Sequence, residues 1–419
     1  MEFVLLYNSN LLTEPESVCK MIRAFRVIWW LGLVLIASGC ASKLFVAPAT
    51  DTTAFVNRGD TQTQGGVRIS AAVPDADETE AFVGLDLYSQ GIQPVWLIVT
   101  NLSEKPARVA LVSVDDDYFS PLEVAWLNRK SYSREGRVAM ERWFYEHQMP
   151  RRIPAGETRS GFVLTHLSPG TKGFNVDVYT VDGSVNFTFF IAIPGFRADY
   201  MDVSFKNLYT QGEQQALDAK GLRQVLAGLS CCSTNRAGSA EGDPFNLVFV
   251  GSALALRRAL LRGDWQETAA GSPDTALARS HRYRGRQPDG TFHKSRPDGS
   301  ERKELRIWLT PMLVHDERVW LGQASYDMGG EAANTSFEQY HIDPDIDDAR
   351  EFVMQNFWYN QSLARMIRVA GGPVSTMDAP QVNFNGSEYF TDGARVVLFV
   401  SKIPIALDET ILLGWRGLE

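Results

Sequence analysis

Between residues 66 and about 195, apolar side chains recur at nearly every second position. VRISAA (67–72), VWLIVT (95–100), RVALVSV (108–114), SGFVLT (160–165), FNVDVYT (174–180) and VNFTFFIAI (185–193) are six such runs. A period of two puts one side of a segment against a core and the other in solvent, the pattern of a β-strand. Turn chemistry separates the runs: residues 101–106 ending in Pro106, Pro154-Ala155-Gly156, and Asp182-Gly183, which marks a hairpin. One stretch breaks the alternation. In SREGRVAMERWFYEH (133–147), Val138, Met140, Trp143 and Phe144 are spaced as on a helix. The region predicts an antiparallel β-sandwich with a helical insert.

The period changes after residue 200. QGEQQALDAKGLRQVLAGL (211–229) sets Leu217, Leu222, Val225 and Leu229 on one side of a predicted helix, and 230–242 reads as a loop. FNLVFV (245–250) is an almost wholly apolar strand. Gly251-Ser252 and a helix over 253–261 follow, with Ser252 as its cap. RIWL (306–309) and VWLGQAS (319–325) are further strands, and Ile346, Ala349, Val353 and Phe357 give a helix its apolar face. The expected class is α+β: the sandwich, then a separate domain of α/β type. The expected divisions are a signal peptide (1–39), a tether (40–65), the sandwich (66–200), a helix and linker (201–242) and the C-terminal domain (243–419).

The amino terminus carries an address. VIWWLGLVLIA (27–37) is apolar throughout, shorter than the about 20 residues a membrane helix needs, and preceded by Arg23 and Arg26. The first twenty residues fit no signal peptide, so Met21 is an alternative start. Ala37-Ser38-Gly39-Cys40 closes the run. This arrangement resembles a bacterial lipobox. The resemblance implies that Cys40 receives a diacylglycerol, becomes the first mature residue and is acylated. It also implies membrane lipid as a partner and the cell envelope as location. Ala41, which is not the aspartate of inner-membrane retention, implies the periplasmic face of the outer membrane. Several acyl chains anchor stably where one does not.

The 419 residues contain 41 Lys+Arg against 50 Asp+Glu, a net charge of -9. An acidic chain without a long basic block is a poor nucleic-acid binder. The four cysteines, Cys19, Cys40, Cys231 and Cys232, form no disulfide framework and contain no CxxC pair. Cys231 and Cys232 read as two ordinary thiols. No metal ligand set and no cofactor is assigned.

Two segments hold candidate chemistry. Residues 280–306 concentrate positive charge in an acidic chain. Arg286 and Arg306 are candidate anion-binding groups there, against a preferred reading of a solvated loop. His341, Asp343, Asp345 and Asp347 lie within HIDPDIDD, a set able to hold a divalent ion or to do acid–base work. The preferred reading is a helix start: Asp343 as N-cap, Pro344 at the first position, Asp345 and Asp347 opposing the helix dipole. Function follows the same division. The first reading is an anchored binding or structural module with an envelope protein or component as partner. The alternative is a phosphate- or lipid-directed hydrolase using His341 and the three aspartates.

Several pieces of the second domain occur in an order that resembles the LssY C-terminal domain, a module of bacterial membrane-associated proteins. They are NLVFVGS (246–252), RGDW (262–265), GRQPDGTFHK (285–294), Arg306-Ile307-Trp308, VWLGQA (319–324) and HIDPDID (341–347). The resemblance implies no established activity. Some relatives are fused to multi-span, phosphatidic-acid-phosphatase-like parts, and that activity does not carry over to a sequence without such spans. Glu304 stands where the family often has a histidine.

Overall fold

The computed structural model describes residues 43–46, 48, 53–272, 280–295, 301–328 and 341–414. Cys40 and the apolar run 27–37 lie outside them. The chain divides into two compact units, one of residues 1–48 and 120–146, the other of 49–119 and 147–419.

The larger unit begins with the expected sandwich. Its strands are β1 (Asp60–Gln64), β2 (Val67–Ala72), β3 (Ile92–Asn101), β4 (Ala107–Ala110), β5 (Arg152–Ile153), β6 (Thr158–His166), β7 (Thr171–Thr180) and β8 (Gly183–Ala192). They form two antiparallel sheets, ordered β1-β2-β3-β6 and β5-β4-β7-β8. The alternating positions meet between the sheets: Ile69, Leu97 and Val163 from one, Val109, Val176 and Phe189 from the other. Thr180 pairs with Gly183 across a two-residue turn, and Gly183 supplies the positive φ of +127° there. The short helices α1 (Thr53–Val56) and α2 (Ala76–Val83) accompany this sheet pair, α2 starting on a capping box between Asp75 and Glu78.

The smaller unit contains the helical insert. Helix α3 (Pro121–Asn128) begins with a Ser120–Glu123 capping box and proline at its first position. Helix α4 (Arg134–His147) buries Met140, Trp143 and Phe144, and Phe45 packs its ring edge-on against Trp143.

The larger unit continues into a mixed ten-stranded sheet. Its strands are β9 (Gln215–Leu217), β12 (Leu247–Val250), β13 (Gln266–Glu267), β14 (Gly290–Ser295), β15 (Glu301–Val314), β16 (Glu317–Met328), β17 (His341–Ile342), β18 (Leu363–Ala370), β21 (Ala394–Val400) and β22 (Ile411–Leu412). Two ribbons stand beside it, β10 (Cys232–Thr234) with β11 (Glu241–Pro244), and β19 (Gln381–Val382) with β20 (Glu388–Tyr389). The main path runs β13-β14-β15-β16-β12-β21-β18-β22. Pairing is mostly antiparallel; β12 with β21, β9 with β15 and β18 with β22 are parallel.

Helices cover both faces. Leu247 and Phe249 of β12 face α6 (Ala253–Arg262) and α7 (Ile346–Tyr359), meeting Leu256, Leu260, Val353 and Phe357. Val248 and Val250 face the other way, toward Leu222 and Leu226 of α5 (Ala219–Ala227). A strand covered on both sides reads as a continuous apolar run, as 245–250 does. Ser252 caps α6 through the Ala255 N–H, as expected.

Four local expectations change. The segment 201–242 is not a helix and linker lying outside the C-terminal fold. Residues 215–217 pair with β15, and only 219–227 are helical, starting on the Asp218 side chain. The basic segment 280–306 is not a solvated loop: β14 and the start of β15 occupy it, and His281, Arg282 and Arg306 are buried. The α7 cap is Asp345, two residues later than expected. Tyr326 O takes the Asp343 N–H and Pro344 O accepts from Phe390, so 343–344 still run as extended edge backbone. Cys231 and Cys232 are joined as a disulfide rather than standing as free thiols.

Candidate functional site

The antiparallel pair β15–β16 changes character along one face. Its register sets Trp308 opposite Leu321, Arg306 opposite Gln323, Glu304 opposite Ser325 and Arg302 opposite Asp327. Trp308 and Leu321 join the core under α5. The next rows on that face are polar, yet Arg306, Gln323, Glu304, Ser325 and Asp327 remain 0–6% exposed. The β10–β11 ribbon adds Asp243 and Ser233, the chain before Tyr283 adds His281, and the β19–β20 hairpin adds Asn383. The result is a buried charged centre.

Asp243 is its hub. Gln323 Nε2 donates to Oδ2 at 2.6 Å and Asn383 Nδ2 to Oδ1 at 2.7 Å. Arg306 Nη1 lies 3.6 Å from Oδ2, and Arg306 Nη2 is hydrogen-bonded to Glu304. Pairing of this kind is what keeps charges affordable away from water. Four polar atoms of the centre nevertheless find no hydrogen-bond partner among the described residues: Arg306 Nε and Nη1, Gln323 Oε1 and Ser325 Oγ. Buried groups left this way are uncommon.

His281 packs against Phe384 and shares a 2.9 Å hydrogen bond with Ser233 Oγ. Burial, then the charges of Arg306 and Arg282, push its pKa well below the usual histidine value, so it is neutral. Gly242 makes room for the pair: a Cβ there would lie 2.5 Å from Ser233 Oγ and 3.0 Å from His281 Nδ1. Ser233, His281 and Asp243 have the membership of a hydrolytic triad without its geometry. His281 Nε2 is 3.9 Å from Asp243 Oδ2, and the Ser233 hydroxyl, fully buried, also donates to Asp243 O. Asp327 is driven up to about 7, by burial first and by Glu304 second.

The residues picked from sequence distribute unevenly. Arg306 lies in the centre. Arg286 does not share its partners: it donates to Asp289 at 2.8 Å and to Leu309 O, and stacks over Tyr209. The aspartates carry backbone and ion-pair work. Asp343 accepts from the Asp345 N–H and Asp345 from the Asp347 N–H. Asp347 accepts from Arg350, from the Thr391 hydroxyl and from the Asp392 N–H. His341 is on β17, its backbone in register with Met328, one position from Asp327. Cys40 lies outside the described residues. Asp243, His281, Gln323 and Asp327 are not among the candidates the sequence offers. The signal for two of them is present in GQASYD, where Gln323, Ser325 and Asp327 alternate with apolar neighbours on what is otherwise a core strand.

Away from this centre a concavity of about 510 Å³ opens between the sandwich and α6, lined by Asp115, His166, Lys172, Asn175, Arg262 and Asp264 among others. Burial lowers the Lys172 amine to about 8, against the raising pull of Asp115 and Asp264. Its lining mixes both signs of charge and selects no ligand class.

The C-terminal fold, a mixed sheet with helices on both faces and a charged centre at one end, defines a class of domain rather than an activity. The family model described as LssY C-terminus matches residues 270–394. The chain therefore carries an LssY-like C-terminal domain, and the match covers the strands that supply Glu304, Arg306, Gln323 and Asp327. No curated protein matches the chain.

Proposed function

We propose that this protein is a bacterial envelope lipoprotein, tethered through acylated Cys40, whose LssY-like domain is a binding module. The ligand groups it presents are those of the charged centre. The observation that carries the binding reading is the set of orphaned polar atoms on Arg306, Gln323 and Ser325, two donors on a cation, one carbonyl and one hydroxyl. They suit a small polar ligand with an anionic oxygen for Arg306. The order of basic residues, short apolar run and Cys40 supports the anchor. Among the described residues no helix is long and apolar enough to cross a membrane.

Two measurements test this. Palmitate labelling of the full chain in a bacterial host is expected to disappear in Cys40→Ala; persistence removes the tether. Thermal shift with inorganic phosphate and short carboxylates is expected to stabilise the protein, and Ser325→Ala and Arg306→Gln to reduce the shift. No shift with any probe sinks the binding reading.

The hydrolase alternative draws support from one pairing, Asp327 and His281, both set against Arg306, the carboxyl pushed up by burial and Glu304 and the imidazole pushed down by burial and Arg306. On that reading the acid–base work passes to Asp327, because Asp345 and Asp347 already serve the start of α7. Phosphoesterase turnover abolished by Asp327→Asn but retained in Asp345→Asn would favour it.

A further inference from the structure

Cys231 and Cys232 stand at the start of the ribbon that carries Ser233 and Asp243, and their surroundings hold chemistry of their own. The backbone on either side is fixed without help from the sulfur–sulfur bond. Phe245 N–H donates to Cys231 O at 2.8 Å, Cys232 is in register with Pro244, and Arg395 is hydrogen-bonded to Ser230 O. None of these bonds involves a sulfur, so opening the disulfide leaves the backbone of the pair anchored.

The third member is Glu241, on the facing strand. Its Oε2 lies 3.8 Å from Cys231 Sγ, and one ligand atom from each of Cys231, Cys232 and Glu241 falls within 4.8 Å of the other two. Across from them Gly372 approaches so closely that a Cβ there would be 2.9 Å from Cys231 Cβ. Tyr389 OH is 3.7 Å from Cys232 Sγ. Cys231 is half-buried and Glu241 exposed, while Cys232 is 4% exposed. Cys231 is therefore the more exposed residue of the pair.

We propose that Cys231, Cys232 and Glu241 form a redox-gated site for a thiophilic divalent cation, closed as the disulfide and opened by a dithiol reductant. The exchange balances. A thiolate of the reductant attacks Cys231 Sγ, on the more exposed residue, forming a mixed disulfide and releasing Cys232 as a thiolate. The second sulfur of the reductant then displaces Cys231 and closes its own disulfide. In sum two electrons and two protons pass from the dithiol to the cysteine pair. The cation displaces those two protons and gains two thiolates and the Glu241 carboxylate. Thiolates favour soft ions over magnesium or calcium, and three protein ligands leave a fourth position open. In an oxidising compartment the closed form persists until a reductant reaches Cys231.

The test uses the full chain with Cys19→Ser and Cys40→Ser, so that only the pair reports. Thiol titration of the native protein is expected to find none before, and two after, treatment with a phosphine reductant. Cadmium ion added to the reduced protein is expected to bind once per chain and to give thiolate-to-cadmium absorption in the ultraviolet. The oxidised protein and Cys231→Ser/Cys232→Ser should give neither. Glu241→Gln keeps both thiols and is expected to weaken cadmium binding about tenfold or more. Free thiols without reductant, absence of the absorption after reduction, or unchanged affinity in Glu241→Gln each overturn the site. So does loss of near-ultraviolet circular dichroism on reduction, because the ribbon must hold the pair unaided.

Discussion

Asp327, 6% exposed on β16, has its pKa raised to about 7 by burial and by Glu304. Between the ordinary carboxylate value and about 7 the folded chain holds a proton that the unfolded chain has lost. This contribution to stability is complete in acid and declines as pH rises through that window. His281 acts with the opposite sign: its depressed pKa makes protonation on acidification favour the unfolded chain. Asp327→Asn cannot ionise, so its urea midpoint is expected to gain on that of the parent from pH 5 to about pH 7 and to hold a constant lead above that. A constant offset would mean that Asp327 is charged throughout. At this scale the sequence shows Arg306, because it lies in an obvious basic segment. It hides Asp327, because an aspartate beyond the apolar part of a strand looks like a strand end. The aspartates at 343–347 advertise themselves by density, yet density is what a helix start and the buried Arg350 require.

At the scale of elements, β15 and β16 are one long hairpin whose α5-facing side is apolar at Trp308 and Leu321 and charged two rows on. The charged rows lie against covering ribbons, so breaking one ion pair strands its partner. Removal of one member of such a pair typically costs about 3–5 kcal/mol. Glu304→Gln and Arg306→Met are each expected to destabilise by an amount of that order. Their combination should cost less than the sum, with a coupling of about 1 kcal/mol or more in a denaturation cycle. Additive costs would mean that the two side chains do not support one another. The strand centres 306–309 and 319–325 are legible from their apolar residues, whereas β15 and β16 run over Glu301–Val314 and Glu317–Met328. Their polar ends are invisible to hydrophobic pattern, since burial there is stabilised by partners distant in sequence. Asp243 reaches Asn383 across 140 residues.

For the whole molecule, the border of the C-terminal fold decides what can stand alone. A border at residue 243 would leave out β9, α5 and β10, although Leu222 and Leu226 cover Val248, Trp308, Leu321 and Val397. Each large apolar side chain so uncovered forfeits about 1.5–3 kcal/mol. Four of them together rival the about 5–15 kcal/mol by which a typical domain is stable. The same cut removes β10 and its Ser233, the hydrogen-bond partner of His281, and frees Arg395 from the Leu226 carbonyl it donates to at 2.5 Å. Further upstream, Tyr200 donates its hydroxyl to Glu267 at 2.5 Å, and Phe205 packs edge-on against Trp320. The natural border therefore lies before Tyr200. The sandwich contributes less to this sheet, through contacts such as Arg257 with the Thr171 hydroxyl and Arg262 with that of Thr188. A fragment of residues 199–414 is expected to melt cooperatively with near-ultraviolet circular dichroism intact, and one of 243–414 to lack both. Equal cooperativity in the two would show that α5 and its neighbours decorate the domain instead of completing its core.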